Sequence, residues 1–174
     1  DAEWHCSSIN RSLVDATLWF PPRDQVDRRA SVLHAGRWHE VTGPAHPARI
    51  EPVSEYLLDP DPAIVRAGLV SNIGPLIDPN LAFVTGGQAP APWLGRTMRV
   101  LEEVPLKAVP QACRRLGMRA VTVWARGFRP VPRLGLRDGT DGIVVLARMG
   151  PERVARAWVG VPVGAMESAH REPP

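Results

Sequence analysis

The chemistry that this sequence offers most plainly is that of arginine. Between residues 114 and 137 it places Arg114, Arg115, Arg119, Arg126, Arg129, Arg133 and Arg137, with Phe128 among them. A guanidinium presents a planar fork of donors that grips a phosphate bidentately, and an exposed aromatic ring can stack a base. These eight residues form the candidate set for contact with a polyanion such as RNA. Blander readings stand beside that one. Arg114 and Arg115 fall at the end of an expected helix, where cations suit the helix dipole, and arginines in a loop can simply be solvated. Trp124 reads as a core residue rather than a stacking platform.

No catalytic constellation is legible. Glu102 and Glu103 point to opposite faces of an expected strand, so they make no acid/base pair. His5, His34, His39, His46 and His170 lack ligand spacing, and Ser7 and Ser8 lack a nucleophile-elbow context. Asp59 and Asp61 have helix-capping roles to hand. Cys6 and Cys113 have no CxxC neighbour, so two reduced thiols are expected and no zinc site. Gly86, Gly87, Gly139 and Gly142 are turn glycines outside any phosphate-loop pattern. In Phe20-Pro21-Pro22-Arg23 the aromatic precedes the prolines, which reads as a strand stop. The expectation is a chain with no catalytic, cofactor-binding or metal-ligating residues.

Charge divides the chain. Residues 1–95 hold seven Arg against eleven acids, a net of −4; residues 96–174 hold fourteen basic residues against seven acids, a net of +7. Lys107 is the lone lysine. A basic half suits a polyanion, although arginine preference is also what a GC-rich genome produces. With 44% hydrophobic residues a core can form, and no apolar run is long enough to span a membrane. The first residue, Asp1, follows no leader, so the expectation is a cytoplasmic piece cut from something longer.

The elements that must position the arginines can be read coarsely. Strands are expected at 13–20, 29–34 and 37–42, as an edge belonging to a larger sheet. Residues 43–55, GPAHPARIEPVSE, read as a linker. Asp61 is expected to cap a helix that starts at Pro62 and runs to about Ile73, with Val65, Leu69 and Ile73 on its packed face. A short strand at 81–85, a strand at 96–103, a helix at 107–116 and strands at 119–125, 143–149 and 152–161 should follow. Ile143–Met149 is apolar on both faces and should be central. From Arg96 the order is that of a small α+β sandwich.

Tyr56-Leu57, Asp59-Pro60-Asp61-Pro62-Ala63, Val65-Arg66-Ala67-Gly68-Leu69-Val70 resembles the hallmark that opens the THUMP-like C-terminal module of bacterial class I methyltransferases of the RNA cap guanine-N2 methyltransferase-like kind. Leu81 to Gly86, Arg99 to Leu106 and Val121 to Gly127 resemble later pieces of that module in the same order; Trp124 and Ala125 stand where the family carries basic residues. LVDATLWF and RRASVL resemble closing antiparallel strands of the methyltransferase sheet. The resemblance implies 1–48 as the last strands of a Rossmann-like methyltransferase domain, 49–95 as linker and connecting helix, 96–163 as the THUMP-like domain with one or two helices covering a small sheet, and 164–174 as a tail. It implies S-adenosylmethionine as cofactor of the parent enzyme rather than of these residues. It also implies two partners, substrate RNA and the methyltransferase domain in cis. The alternative is a structural module that touches no nucleic acid.

Overall fold

The computed structural model describes residues 1–24 and 26–163. Eleven strands among them form two sheets. The first contains β1 (Glu3–Ile9), β2 (Ser12–Trp19), β3 (Arg28–His34) and β4 (Arg37–Thr42) in the order β2-β1-β3-β4. β1 pairs antiparallel with β2 but parallel with β3. The expected closing strands at 13–20 and 29–34 are therefore not neighbours: the unforeseen strand β1 lies between them. Its sequence, EWHCSSI, shows a weak pattern because only Trp4 and Cys6 carry apolar bulk toward the core.

The second sheet holds seven strands in the order β6-β5-β7-β11-β10-β8-β9. They are β5 (Tyr56–Pro60), β6 (Val84–Gly86), β7 (Gly95–Val104), β8 (Ala120–Arg126), β9 (Arg137–Asp138), β10 (Gly142–Met149) and β11 (Val154–Pro162). The segment expected to be linker and connecting helix supplies β5 as well as β6, which overlaps the short strand expected at 81–85, and the sheet begins at Tyr56 rather than at residue 96. From β7 onward the element order is the one expected, except that the loop before β10 carries the two-residue strand β9, paired with β8. β10 runs between β8 and β11 with its first six residues buried, as its two apolar faces require. Residues 164–174, expected to be a tail, lie outside the described residues.

Helix α1 (Pro62–Ala67) packs on the first sheet. Asp61 caps it, accepting from the Ala63 N–H at 2.9 Å, and Pro62 fills the first turn. The helix ends far short of Ile73. Gly68 takes a left-handed conformation (φ 73°, ψ 29°), the Leu69 N–H donates to the Ile64 carbonyl, and the Gly68 N–H donates to that of Val65. This is a Schellman stop, sealed by the burial of Ile64 and Leu69. The packed face is Ala63, Ile64 and Ala67 against Cys6, Ala30 and Val32, while Val65 is exposed. Three residues later a single 3-10 turn, Val70–Asn72, replaces the rest of the expected helix.

Helix α2 (Val109–Arg115) covers one face of the second sheet, with Pro110 in its first turn. Val109, Ala112 and Cys113 pack there on Val121, Val144, Leu146 and Val159. The other face is closed by Ile77, Leu81 and Phe83 over Leu57, Met98, Trp124, Val145 and Trp158. Both cysteines are buried and free, and burial pushes their thiol pKa values up.

Candidate nucleic-acid interface

Alternation along β8 decides which arginine reaches which face. Val121, Val123 and Ala125 turn toward α2; Thr122, Trp124 and Arg126 turn the other way. Arg126 thereby arrives above Phe83, 5.6 Å from the ring centroid, and donates to Asp59 Oδ1 at 2.7 Å. Asp59 sits at the end of β5 and is 2% exposed. Its Oδ2 accepts from Arg96, at the start of β7, at 2.5 Å and from Arg11, in the β1–β2 turn, at 3.2 Å. Arg96 also lies over the Trp124 ring at 4.7 Å. Three guanidiniums thus converge on one buried carboxylate, leaving a surplus of two positive charges. Burial lowers the Arg11 pKa, opposed by Asp59 and reinforced by Arg96 and Arg126.

The Asp59 node also joins the two sheets. Arg11 bonds the Asp59 and Pro60 carbonyls, and next to it the Ser8 hydroxyl donates to Asp61 Oδ1 at 2.5 Å. Asp61 is therefore held from both sides, by its own helix and by β1. Sequence reasoning left Asp59 as a cap. Its partners lie 37 to 67 residues away, beyond any local pattern. Arg126 was among the expected polyanion contacts, and the parity it shares with Trp124 is the signal that could have turned it toward Asp59.

Past Arg126 the chain enters an arginine-lined cleft. One lobe, about 620 Å³, is lined by Arg126, Gly127, Arg148, Arg153, Asp78 and Asn80. A second, about 520 Å³, shares Gly127, Arg148 and Arg153 and adds Phe128, Arg129, Pro130 and Pro132. Gly127 is left-handed (φ +77°), and a Cβ there would stand 3.2 Å from the Arg148 Cβ and 3.4 Å from Arg153 Nη2, so the arginines close in because glycine allows it. Arg153 donates to the Gly127 carbonyl at 3.3 Å. Among the described residues, Arg129, Arg148 and Arg153 have no carboxylate within ion-pair distance. Asp78, the acid in the first lobe, accepts from the Gly150 and Asn80 N–H groups.

The eight candidates are not brought together as one surface. Arg126 and Arg129 line the cleft. Phe128 is 8% exposed, packed in the α2-side core with Arg148 over its ring at 4.9 Å, so it is a core residue and cannot stack a base. Arg115 is paired with Glu102. Arg114, Arg119, Arg133 and Arg137 are exposed but line neither lobe. Arg148 and Arg153, which do line both, went unnoticed because they fall beyond the cluster, on either side of the β10–β11 turn.

S-adenosylmethionine finds no fit among these residues. Neither helix start carries a glycine-rich turn, the carboxylates nearest α1 are engaged by Ser8, the Ala63 N–H and three arginines, and Asp78 is held by backbone amides. Among the described residues no group of three or more His, Cys, Asp or Glu is placed to hold a metal ion, and no helix is long and apolar enough to cross a membrane.

No protein-family model matches the chain. Two uncharacterised S-adenosylmethionine-dependent methyltransferases of Mycobacterium tuberculosis, from strains CDC 1551 and H37Rv, are each 32% identical to it over 166 residues, covering 86% of this chain and 45% of theirs. The crystal structure of a "putative methyltransferase" from Porphyromonas gingivalis W83 matches 92% of this chain and 46% of its own, with a TM-score of 0.65 and 14% identity. The chain is a mixed α/β homologue of proteins named S-adenosylmethionine-dependent methyltransferases, and it spans less than half the length of those relatives.

Proposed function

We propose that the chain is an accessory region of an S-adenosylmethionine-dependent methyltransferase, THUMP-like in role, whose arginine cleft holds single-stranded RNA substrate. One observation carries the reading: Arg129, Arg148 and Arg153 converge on a cleft without carboxylate partners among the described residues, beside the surplus charge of the Asp59 node. A phosphate backbone supplies the missing anions, and the cleft offers no base-reading ring because Phe128 is buried. Recognition is therefore of backbone rather than of sequence. Fluorescence anisotropy with a labelled single-stranded RNA tests it. Arg148→Gln with Arg153→Gln should weaken binding about tenfold or more at low salt, whereas Arg114→Gln with Arg119→Gln should change it little. Equal losses from both pairs would place the contact elsewhere.

A second reading rests on the Asp59 node itself. Arg11, Asp59 and Asp61 tie one sheet to the other, which is what a module that stabilises a larger enzyme without touching nucleic acid would need. On that reading the cleft variants leave RNA affinity unchanged and the node variants lower stability alone.

A further inference from the structure

Ile77, Leu81 and Phe83 close the Trp124 face of the second sheet over only part of its extent. Toward the start of β8 and of β10 that face opens into a cavity of about 760 Å³, a size that suits a small molecule. Pro92, Ile143 and Val163 give it apolar walls, while Arg96, Thr97, Thr122 and Trp124 supply its polar atoms. Among the described residues no acid lines it. Thr122 is satisfied, its hydroxyl donating to the Gly139 carbonyl at 2.8 Å. Two other polar atoms are not. Trp124 is 6% exposed, and its Nε1 has no hydrogen-bond partner among the described residues. The buried Oγ1 of Thr97 has none either. Buried polar groups are nearly always paired, so two orphans on the wall of one cavity call for a partner.

The orphans define that partner's chemistry. An indole N–H only donates and a threonine hydroxyl can donate, so an acceptor meets both. Arg96 lies over the Trp124 ring at 4.7 Å and belongs to the Asp59 node with its surplus of two positive charges, which favours an acceptor that is an anion. We propose that this cavity binds a small monocarboxylate with an apolar body. The carboxylate accepts from Trp124 Nε1 and Thr97 Oγ1, and the body lies against Pro92, Ile143 and Val163. Both donors are shut off from water, so the carboxylate reaches them by pushing aside the Arg96 side chain, which is 46% exposed. Asp59 keeps Arg11 and Arg126 meanwhile. The site is separate from the arginine cleft: no residue lines both.

Nuclear magnetic resonance of the isotope-labelled chain tests this, with benzoate as the probe. The readout is the indole N–H signal of Trp124, identified by its loss in Trp124→Phe. Benzoate should shift that signal saturably. Benzyl alcohol lacks the charge and acetate lacks the apolar body, so each should bind about tenfold more weakly or worse. Thr97→Val keeps the shape of the wall and removes one donor, and should weaken benzoate about tenfold. Circular dichroism confirms that each variant is folded. No saturable shift overturns the proposal. So does benzyl alcohol binding as tightly as benzoate, or unchanged benzoate affinity in folded Thr97→Val. A shift lost in Arg148→Gln with Arg153→Gln overturns it too, because the anion would then sit in the arginine cleft. RNA binding, measured in parallel, reads the cleft alone, so failure of either site is told from failure of the other.

Discussion

Asp59→Asn keeps the shape of the node and removes its one negative charge. The native carboxylate is 2% exposed and receives Arg11 at 3.2 Å, Arg96 at 2.5 Å and Arg126 at 2.7 Å, partners whose side chains are 31%, 46% and 45% exposed. Exposed ion pairs contribute at most about 1 kcal/mol, whereas breaking a buried one costs about 3–5 kcal/mol. Here the acid is buried and its partners are half in water, so screening puts the loss at the lower end, about 3 kcal/mol. For a chain of this size 1 kcal/mol moves the melting temperature by about 2–4 °C, so Tm should fall by about 6–12 °C. Thermal unfolding followed by circular dichroism reads that shift, and urea titration gives the free energy. Adding Arg126→Gln to Asp59→Asn should cost less than the sum of the single changes, because the second removes a charge the first stranded. The same Asp59→Asn variant strips three guanidiniums of their counter-charge and should leave low-salt RNA affinity undiminished. A Tm within about 2 °C of the native value would refute the reasoning, since the carboxylate would then be no better held than a surface one.

Three further outcomes follow from particular contacts. Burial alone would raise the Glu3 pKa, but hydrogen bonds from Arg29 and the Arg23 N–H outweigh it and hold the value below the ordinary 4.5. A carboxyl depressed in the folded state contributes stability above its unfolded pKa and loses it as pH falls, so stability should drop as pH descends from about 4.5, and Glu3→Gln should flatten that acid limb in denaturant titrations at stepped pH. Gly68→Ala should destabilise by about 2 kcal/mol in urea, from the left-handed backbone and from displacement of Arg28 Nη1, 2.7 Å from the added Cβ; a helix running on to Ile73 would instead gain about 1 kcal/mol from the same change. Phe128→Ala should cost about 3 kcal/mol as a core truncation, with RNA affinity below the melting temperature unaltered.

What the sequence disclosed depended on the range of the interaction. Asp61 and Pro62 announced the start of α1 because capping is local chemistry, and the two apolar faces of β10 announced a central strand. The end of α1 was equally local, yet a helix expected to run to about Ile73 passes over Gly68, where the chain stops it. Leu69, after it, continues the apolar pattern and hides the Schellman turn. β1 escaped because polar His5, Ser7 and Ser8 dilute its alternation. Asp59 was out of reach: its role exists only once β5, β7, β8 and the β1–β2 turn are assembled. Phe128 misled because its glycine- and proline-rich surroundings look like open loop, while the fold turns its ring into the α2-side core. The basic half contains the arginines of the cleft, but the cluster at 114–137 stops short of Arg148, near the end of β10, and Arg153, just before β11.

The salt dependence of RNA binding by the chain tests the central claim most directly. With Arg129, Arg148 and Arg153 without carboxylate partners among the described residues and Arg126 beside a surplus of charge, about three to four phosphates should be engaged. For a single strand the slope of log K against log salt should then be about −2 to −3, and Arg148→Gln with Arg153→Gln should flatten it by about 1.4. A slope near zero, or no binding at low salt, would contradict the account and leave the arginine cleft as a solvated face of a structural module.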